Sequence, residues 1–302
     1  MTMPEYTPDQ LRQQLSLVPA TSVLGIGDNV LDCYVDENLA YPGGNALNVA
    51  VYSRLLMGGR GGFVGIVGDD EFAAHLVDVL DEVGVDRARL RRASGHNGMA
   101  FVQLDAEGDR RFVGSNGGGV QQLLRLRIST ADLEYAAGFA RVHTSTYSAI
   151  DTELPLLAEN STVSYDFSDH PDRDHVEAVG PHLEVAFASG SHLSEADVEA
   201  LGHHALRSGI GQMVITLGAR GVLAYEAGGR RQGEVKPVAA VDTLGAGDAF
   251  ITGYLTARQA GADLQQCLDV ASASGALACT YRGAFGHATV AGRRALEQLV
   301  PR

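Results

Sequence analysis

Hydrophobic positions along the chain follow two alternating periods. Residues 1–20 are polar, with a short amphipathic turn near Leu11 and Leu15. Residues 21–26 form a short apolar run ending in Gly25-Ile26-Gly27, which predicts a buried strand entering a turn. Leu47, Val51 and Leu55, with Ala46 and Ala50, recur at helical spacing over 45–57, behind Gly43-Gly44. Residues 62–67 read as a strand, and 71–83 as a helix stopped by Gly84. The period then changes. Residues 99–104 and 110–113, joined by a loop containing Gly108, read as a β-hairpin, and 31–41 is strand-like with alternate polar positions. These pieces, about 31–41 and 97–115, predict a small sheet apart from the main body. From 141 onward strand and helix alternate, with strands at 141–143, 163–166, 185–188, 214–217, 221–225 and 232–237. Helices start near Gly247, Leu264 and Val290. Repeated β-α alternation predicts one α/β domain over 1–302, its mostly parallel sheet flanked by helices.

Charge narrows the choice of partners. The 302 residues hold 37 Asp and Glu against 23 Lys and Arg, a net charge of −14. That balance repels nucleic acid and anionic membrane. A phosphate-bearing ligand must be held locally, by backbone amides or a few arginines. Lys236 is the sole lysine, so no P-loop exists, and a Schiff-base enzyme would depend on that one side chain. Three cysteines without a Cys-x-x-Cys pair point to a reducing cytoplasm. A basic leader and long apolar runs are both missing, so a cytoplasmic, soluble protein is expected.

Most chemistry is concentrated in Val241-Asp242-Thr243-Leu244-Gly245-Ala246-Gly247-Asp248-Ala249-Phe250. Glycines bracket a tight turn ahead of an apolar helix, whose bare N–H groups and dipole suit an anion such as a transferring phosphoryl group. Backbone donors would thereby replace the missing lysines. Asp248 fits two roles there, capping the helix or accepting a proton from an attacking hydroxyl.

Other patterns carry less. Gly25-Ile26-Gly27 lacks the third glycine of a dinucleotide fingerprint. Ten histidines are scattered without His-Glu-x-x-His, which predicts surface positions and no structural metal. Ser145 and Ser148 lack a Gly-x-Ser-x-Gly setting.

Residues 242–250 match Asp-Thr-x-Gly-Ala-Gly-Asp-x-Phe, the C-terminal signature of the ribokinase-like (PfkB) carbohydrate kinases. Upstream, Gly43-Gly44-Asn45-Ala46-Leu47-Asn48-Val49-Ala50 resembles the family's Gly-Gly-x-x-x-Asn-x-Ala element, and Gly27 with Asp32 its N-terminal Gly-x-x-x-x-Asp. Val67-Gly68-Asp69-Asp70 and residues 215–221 are similar to further family segments, so the resemblance spans roughly 21–300.

The resemblance implies a ribokinase-like fold with a small β lid and ATP-dependent phosphorylation of a sugar hydroxyl. Asp248 matches the catalytic base, and the amides of Gly245, Ala246 and Gly247 the anion hole. Asp32, Gly43, Gly44 and Asn48 match sugar-holding positions. Thr216, Gly218 and Gly221 fall in the turn that contacts ATP, together with Gly247. Asp242, with backbone carbonyls near Gly283, looks like the monovalent-cation (K⁺) site of many members. Family lids often form a homodimer contact. Tyr34, Tyr41, Phe101 and Phe112 either cover substrate from the lid or pack within it or at a dimer seam. One departure stands out: where many members carry Asn-x-x-Glu to organise Mg²⁺, this chain reads Ser189-Gly190-Ser191-His192, with Glu195 three residues late.

Short stretches look similar to the fructoselysine 6-kinase branch: Gly27-Asp28-Asn29, residues 43–46, residues 165–169 and Tyr281-Arg282-Gly283-Ala284. That points to a fructosamine phosphorylated at its 6-hydroxyl, with Asn29 beside the sugar. Ribose, fructose, ketodeoxygluconate or a nucleoside are the alternatives, as is a sugar-binding sensor without catalysis. The acidic run Asp166, Asp169, Asp172 and Asp174 suits a cationic amine, or is a solvated loop.

Overall fold

In the computed structural model of the protein, residues 5–104 and 110–301 are described. The loop joining the expected hairpin strands, 105–109, lies outside the described residues. The first half holds β1 (Ser22–Ile26), β2 (Val30–Tyr34), β3 (Leu39–Gly43), β4 (Arg60–Val64), β5 (Ile66–Val67), β6 (Arg91–Arg92), β7 (Met99–Leu104) and β8 (Arg110–Ser115). The second half adds β9 (Arg141–Ser145), β10 (Val163–Asp166), β11 (Val185–Ser189), β12 (Gln212–Thr216), β13 (Val222–Glu226) and β14 (Gly229–Gly233). Two short strands near the end of the chain are β15 (Thr289–Val290) and β16 (Val300–Pro301).

The large sheet runs β14-β13-β12-β11-β10-β9-β1-β4. Its strands from β12 to β4 pair in parallel, and β13 and β14 continue it antiparallel. Alternation along a strand separates its two faces. On β1, Leu24 belongs to the same buried cluster as Val142, Tyr165 and Ile215, whereas neighbouring Val23 belongs to that of Phe187, Val214, Tyr254 and Leu255. This is the two-sided burial expected of a parallel sheet.

Four helices matter for the site: α1 (Pro8–Leu15), α2 (Asn45–Leu55), α3 (Glu71–Val83) and α4 (Ala246–Gln259). The amphipathic turn near Leu11 is α1, opened by a Thr7–Gln10 capping box. In α2 every residue from Asn45 to Ser53 is buried. The expected single apolar stripe is therefore too narrow: α2 lies against both β1 and α4 and has no solvent face over that stretch.

The strands expected to form a lid lie in a second, smaller sheet, ordered β15-β3-β2-β7-β8-β16. The strand-like stretch 31–41 is a hairpin of β2 and β3, and β2 pairs in parallel with β7. The chain's end adds β15 to β3 and β16 to β8, two strands too short to leave a periodic signal. The helix expected near Val290 consequently starts only at Gly292. Leu31, Cys33, Ala40 and Phe101 pack with Ala46, Ala291 and Ala295, and Tyr34, Tyr41 and Val102 form a separate cluster. The strand expected at 232–237 ends at Gly233, and the segment after it borders a cavity. Among the described residues, no helix is long and apolar enough to cross a membrane.

Candidate active site

Open parallel sheets place ligands beyond the carboxyl ends of their strands. Here that edge carries Asp28 after β1, Ser145 at the end of β9, Asp166 at the end of β10, Ser189 at the end of β11 and Thr216 at the end of β12. The N-termini of α2 and α4 open onto the same edge, joined by side chains. Asp248, in the first turn of α4, accepts from Asn48 Nδ2 at 2.6 Å and from Asn45 Nδ2 at 2.8 Å. The carboxylate is thus turned across to α2. The same Asn45 nitrogen donates to Asp166 Oδ2 at 2.9 Å.

Asp28 secures the entry to α2. Its carboxylate accepts from the backbone N–H groups of Asn45 at 2.6 Å and Ala46 at 3.3 Å, and from the hydroxyls of Ser145 and Ser148. It acts as a cap supplied from another strand, because Gly44 at the N-cap position has no side chain to offer. Gly44 adopts φ +107°, and a Cβ there would lie 2.7 Å from Asn29 Cα, so the glycine permits the close approach of the two loops. Asp32, buried on the lid, lies over Gly43: a Cβ on that glycine would sit 2.1 Å from Asp32 Oδ2. The amide oxygens of Asn48 and Asn29 are buried and accept no hydrogen bond. Asn48 (3% exposed) offers such an acceptor beside Asp248.

Desolvation is the largest influence on Asp166. With the nearby charges of Asp248, Asp28 and Asp169 it pushes the carboxyl up to about 7, against the lowering effect of the Ser168 N–H. Of the acidic run, Asp166 joins this group. Asp172 caps the helix Arg173–Val179, and Asp174 lies in that helix's first turn. Asp169 is exposed beside His170.

Next to this polar group lies a cavity of about 490 Å³, lined by Thr216, Gly218, Gly221, Lys236, Ala246, Gly247 and Phe250 among others. It thus brings together the residues that the resemblance assigns to ATP, and Ser189 borders it. Gly247 has open space where a Cβ would be, whereas at Gly245 (φ +74°) a Cβ would strike the Tyr52 hydroxyl at 2.3 Å.

Two sequence expectations change. Phe101 is fully buried among Leu31, Cys33 and Ala40, so it packs the lid and presents no surface to a ligand. Asp242 does lie beside Gly283, but Gly283 turns its N–H to the carboxylate at 2.9 Å. Tyr34 Oη and the Leu244 N–H also donate to Asp242, at 2.7 and 3.0 Å, and the neighbouring Ala284 carbonyl accepts from Tyr52. These partners of the carboxylate are thus N–H and O–H donors, and the backbone N–H of Asp242 meets the Cys279 carbonyl at 3.2 Å.

Two residues without a signature in the sequence also matter. His143 on β9 is fully buried, not superficial, and its Nε2 meets Asn45 Oδ1 at 2.9 Å. Asn45 itself stands inside the recognised 43–50 element, in one of its variable places.

Comparison with known proteins agrees with this geometry. Residues 22–288 match the model of the pfkB family carbohydrate kinases. A fructosamine kinase FrlD of Bacillus subtilis (strain 168) is 42% identical over 266 residues, covering 88% of this chain and 93% of that protein. A fructoselysine 6-kinase of Shigella flexneri is 33% identical over 264 residues, covering 86% and 98%. In fold, the chain is similar to an Arabidopsis thaliana ribokinase complexed with ribose and ATP, at TM-score 0.73 and 19% identity over 88% of this chain and 94% of that one. With its glycine turn, facing carboxylate and ribokinase-like architecture, this chain belongs to the pfkB family of carbohydrate kinases.

Proposed function

We propose that the protein transfers the γ-phosphoryl group of ATP to the 6-hydroxyl of a fructosamine such as fructoselysine. The observation that carries the reaction is the placement of Asp248 at the N-terminus of α4, one residue after the open Gly247 and beside the buried, unpartnered acceptor of Asn48. ATP occupies the 490 Å³ cavity, as the ATP named with the Arabidopsis ribokinase suggests, with Thr216, Gly218 and Gly221 along its wall. Asp32, Asn29 and Asn48 hold sugar hydroxyls, with Gly43 and Gly44 leaving room for the ring. The acceptor hydroxyl loses its proton to Asp248 as its oxygen bonds to the γ-phosphorus. The bond from that phosphorus to the β,γ-bridging oxygen breaks, and ADP leaves. The amides of Gly245, Ala246 and Gly247 stabilise the transferring group, whose chemistry asks mainly for alignment and charge stabilisation. Mg²⁺ would arrive on the ATP phosphates, with water completing its shell.

The substrate reading rests on the fructosamine kinase relative and on the sign of the site. Asp28, Asp166, Asp169 and Asp248 lie close enough to raise Asp166, and a protonated substrate amine relieves that repulsion. The test is ADP release with Mg-ATP over fructoselysine, fructose, ribose, ketodeoxygluconate and nucleosides, with the product's phosphate position read by NMR. The highest kcat/KM for fructoselysine, with phosphate on C6, supports the reading. A higher value for an uncharged sugar overturns it.

A further inference from the structure

Asn45 has one amide nitrogen, and both of its protons are committed, one to Asp248 at 2.8 Å and one to Asp166 at 2.9 Å. Ionised Asp248 offers acceptors only, so the amide faces it with its nitrogen. Its oxygen consequently faces inward and meets His143 Nε2 at 2.9 Å. A hydrogen bond there requires the proton on Nε2. The neutral ring is then bare at Nδ1, 3.0 Å from the Ser164 hydroxyl, whose single proton has this nitrogen and the Val142 carbonyl, at 3.1 Å, as its two acceptors.

We propose that His143 is a positioning residue for phosphoryl transfer: its Nε2–H pairs the inward oxygen of the Asn45 amide, and so anchors the side chain whose nitrogen joins Asp248 and Asp166. Without that donor the amide oxygen is left buried and unpaired, and the side chain between the two carboxylates loses its second anchor. The surroundings keep the imidazole in this state. It is fully buried, the Phe187 ring packs edge-on at 6.4 Å, and the charged group that acts on it is Arg141 on the same strand. Burial first, then Arg141, pushes the ring down to about 3, so it stays a single donor at working pH.

The inference rests on Asp248 as the base, and the tests separate the two. His143→Leu is expected to lower kcat about ten- to a hundredfold, with KM for ATP unchanged, because misplacing reacting groups costs rate rather than nucleotide affinity. His143→Gln, whose terminal amide reaches the Nε2 position with an N–H, is expected to recover most of that loss. Equal activities in the Leu and Gln variants would reduce His143 to a packing residue. Should Asp248→Asn keep its turnover, the base assignment fails, whatever His143 does. A second readout uses the unaltered protein. Long-range ¹H–¹⁵N correlation of the imidazoles, with His143 identified by its loss in the Gln variant, should give a neutral Nε2–H ring between about pH 6 and 8. A ring protonated on Nδ1, or on both nitrogens, overturns the proposal.

Discussion

The Tyr34 hydroxyl on the lid donates a 2.7 Å hydrogen bond to Asp242, six residues before Asp248. Arg282, paired with Glu37, lies over the Tyr34 ring at 5.4 Å. The lid and the glycine turn are thereby tied through one phenol. Tyr34→Phe keeps the ring and removes the donor, leaving a buried carboxylate short of one partner. Stability should fall by ~1–3 kcal/mol, measured as the shift in urea unfolding at constant slope. An unchanged midpoint would mean that the lid is held by its apolar clusters alone.

The same crowding of donors at Asp242 bears on ion dependence. Replacing K⁺ by Na⁺ or by tetramethylammonium at equal ionic strength should leave kcat within about twofold, since the Asp242 carboxylate already accepts from Tyr34, Leu244 and Gly283. Steady-state rates in the three salts decide it. A steep K⁺ requirement would show that a cation displaces these donors in the working enzyme.

Asp248→Asn retains size and removes the proton acceptor. If Asp248 is the base, kcat falls about 10²–10⁴-fold while calorimetric affinity for the sugar changes little. Loss of sugar binding in parallel would reassign Asp248 to substrate holding.

Asp166 makes a pH prediction whose sign is set by its raised pKa. Unfolded, the carboxyl releases its proton near pH 4. In the folded chain, burial with the charges of Asp248 and Asp28 delays release to about 7. Between those values the native state holds more protons, so stability falls as pH rises through that window. Asp166→Asn should flatten this decline, so that its stability relative to the parent improves from pH 4.5 to 7.5. Denaturant midpoints at several pH values test it, and parallel curves would disprove the assignment.

Gly245 and Gly247 should respond oppositely to alanine. At Gly245 the positive φ and the 2.3 Å approach to Tyr52 predict destabilisation of about 1–3 kcal/mol. At Gly247 the Cβ meets nothing within 4 Å, so folding is expected to survive while the methyl intrudes on the phosphoryl position and turnover drops. Melting temperature and kcat, measured on both variants, separate backbone strain from obstruction.

What could be read from the sequence depended on how the residues are spaced. The turn at 242–250 is contiguous, and its chemistry was legible because glycines, helix start and carboxylate occur together. The parallel sheet was legible from repeated alternation. Asp28, Asn45, His143 and Asp166 converge only in three dimensions, from the loop after β1, the start of α2, the middle of β9 and the end of β10. A lone histidine in a short strand has no periodic partner to mark it as buried. The lid's outer strands are two residues each, below the length at which alternation is visible. Residues 234–237 alternate polar and apolar like a strand, yet they border the cavity instead of extending the sheet.

Lys236 lies on that border, and it is the chain's one lysine. Amine-directed reagents therefore have a single side-chain target in the whole protein, on a residue that lines the cavity assigned to nucleotide and whose Nζ lies 5.0 Å from the centre of the Tyr6 ring. A dye or mass tag carried there would report directly on whether that cavity is filled, with only the α-amino group to be told apart from it.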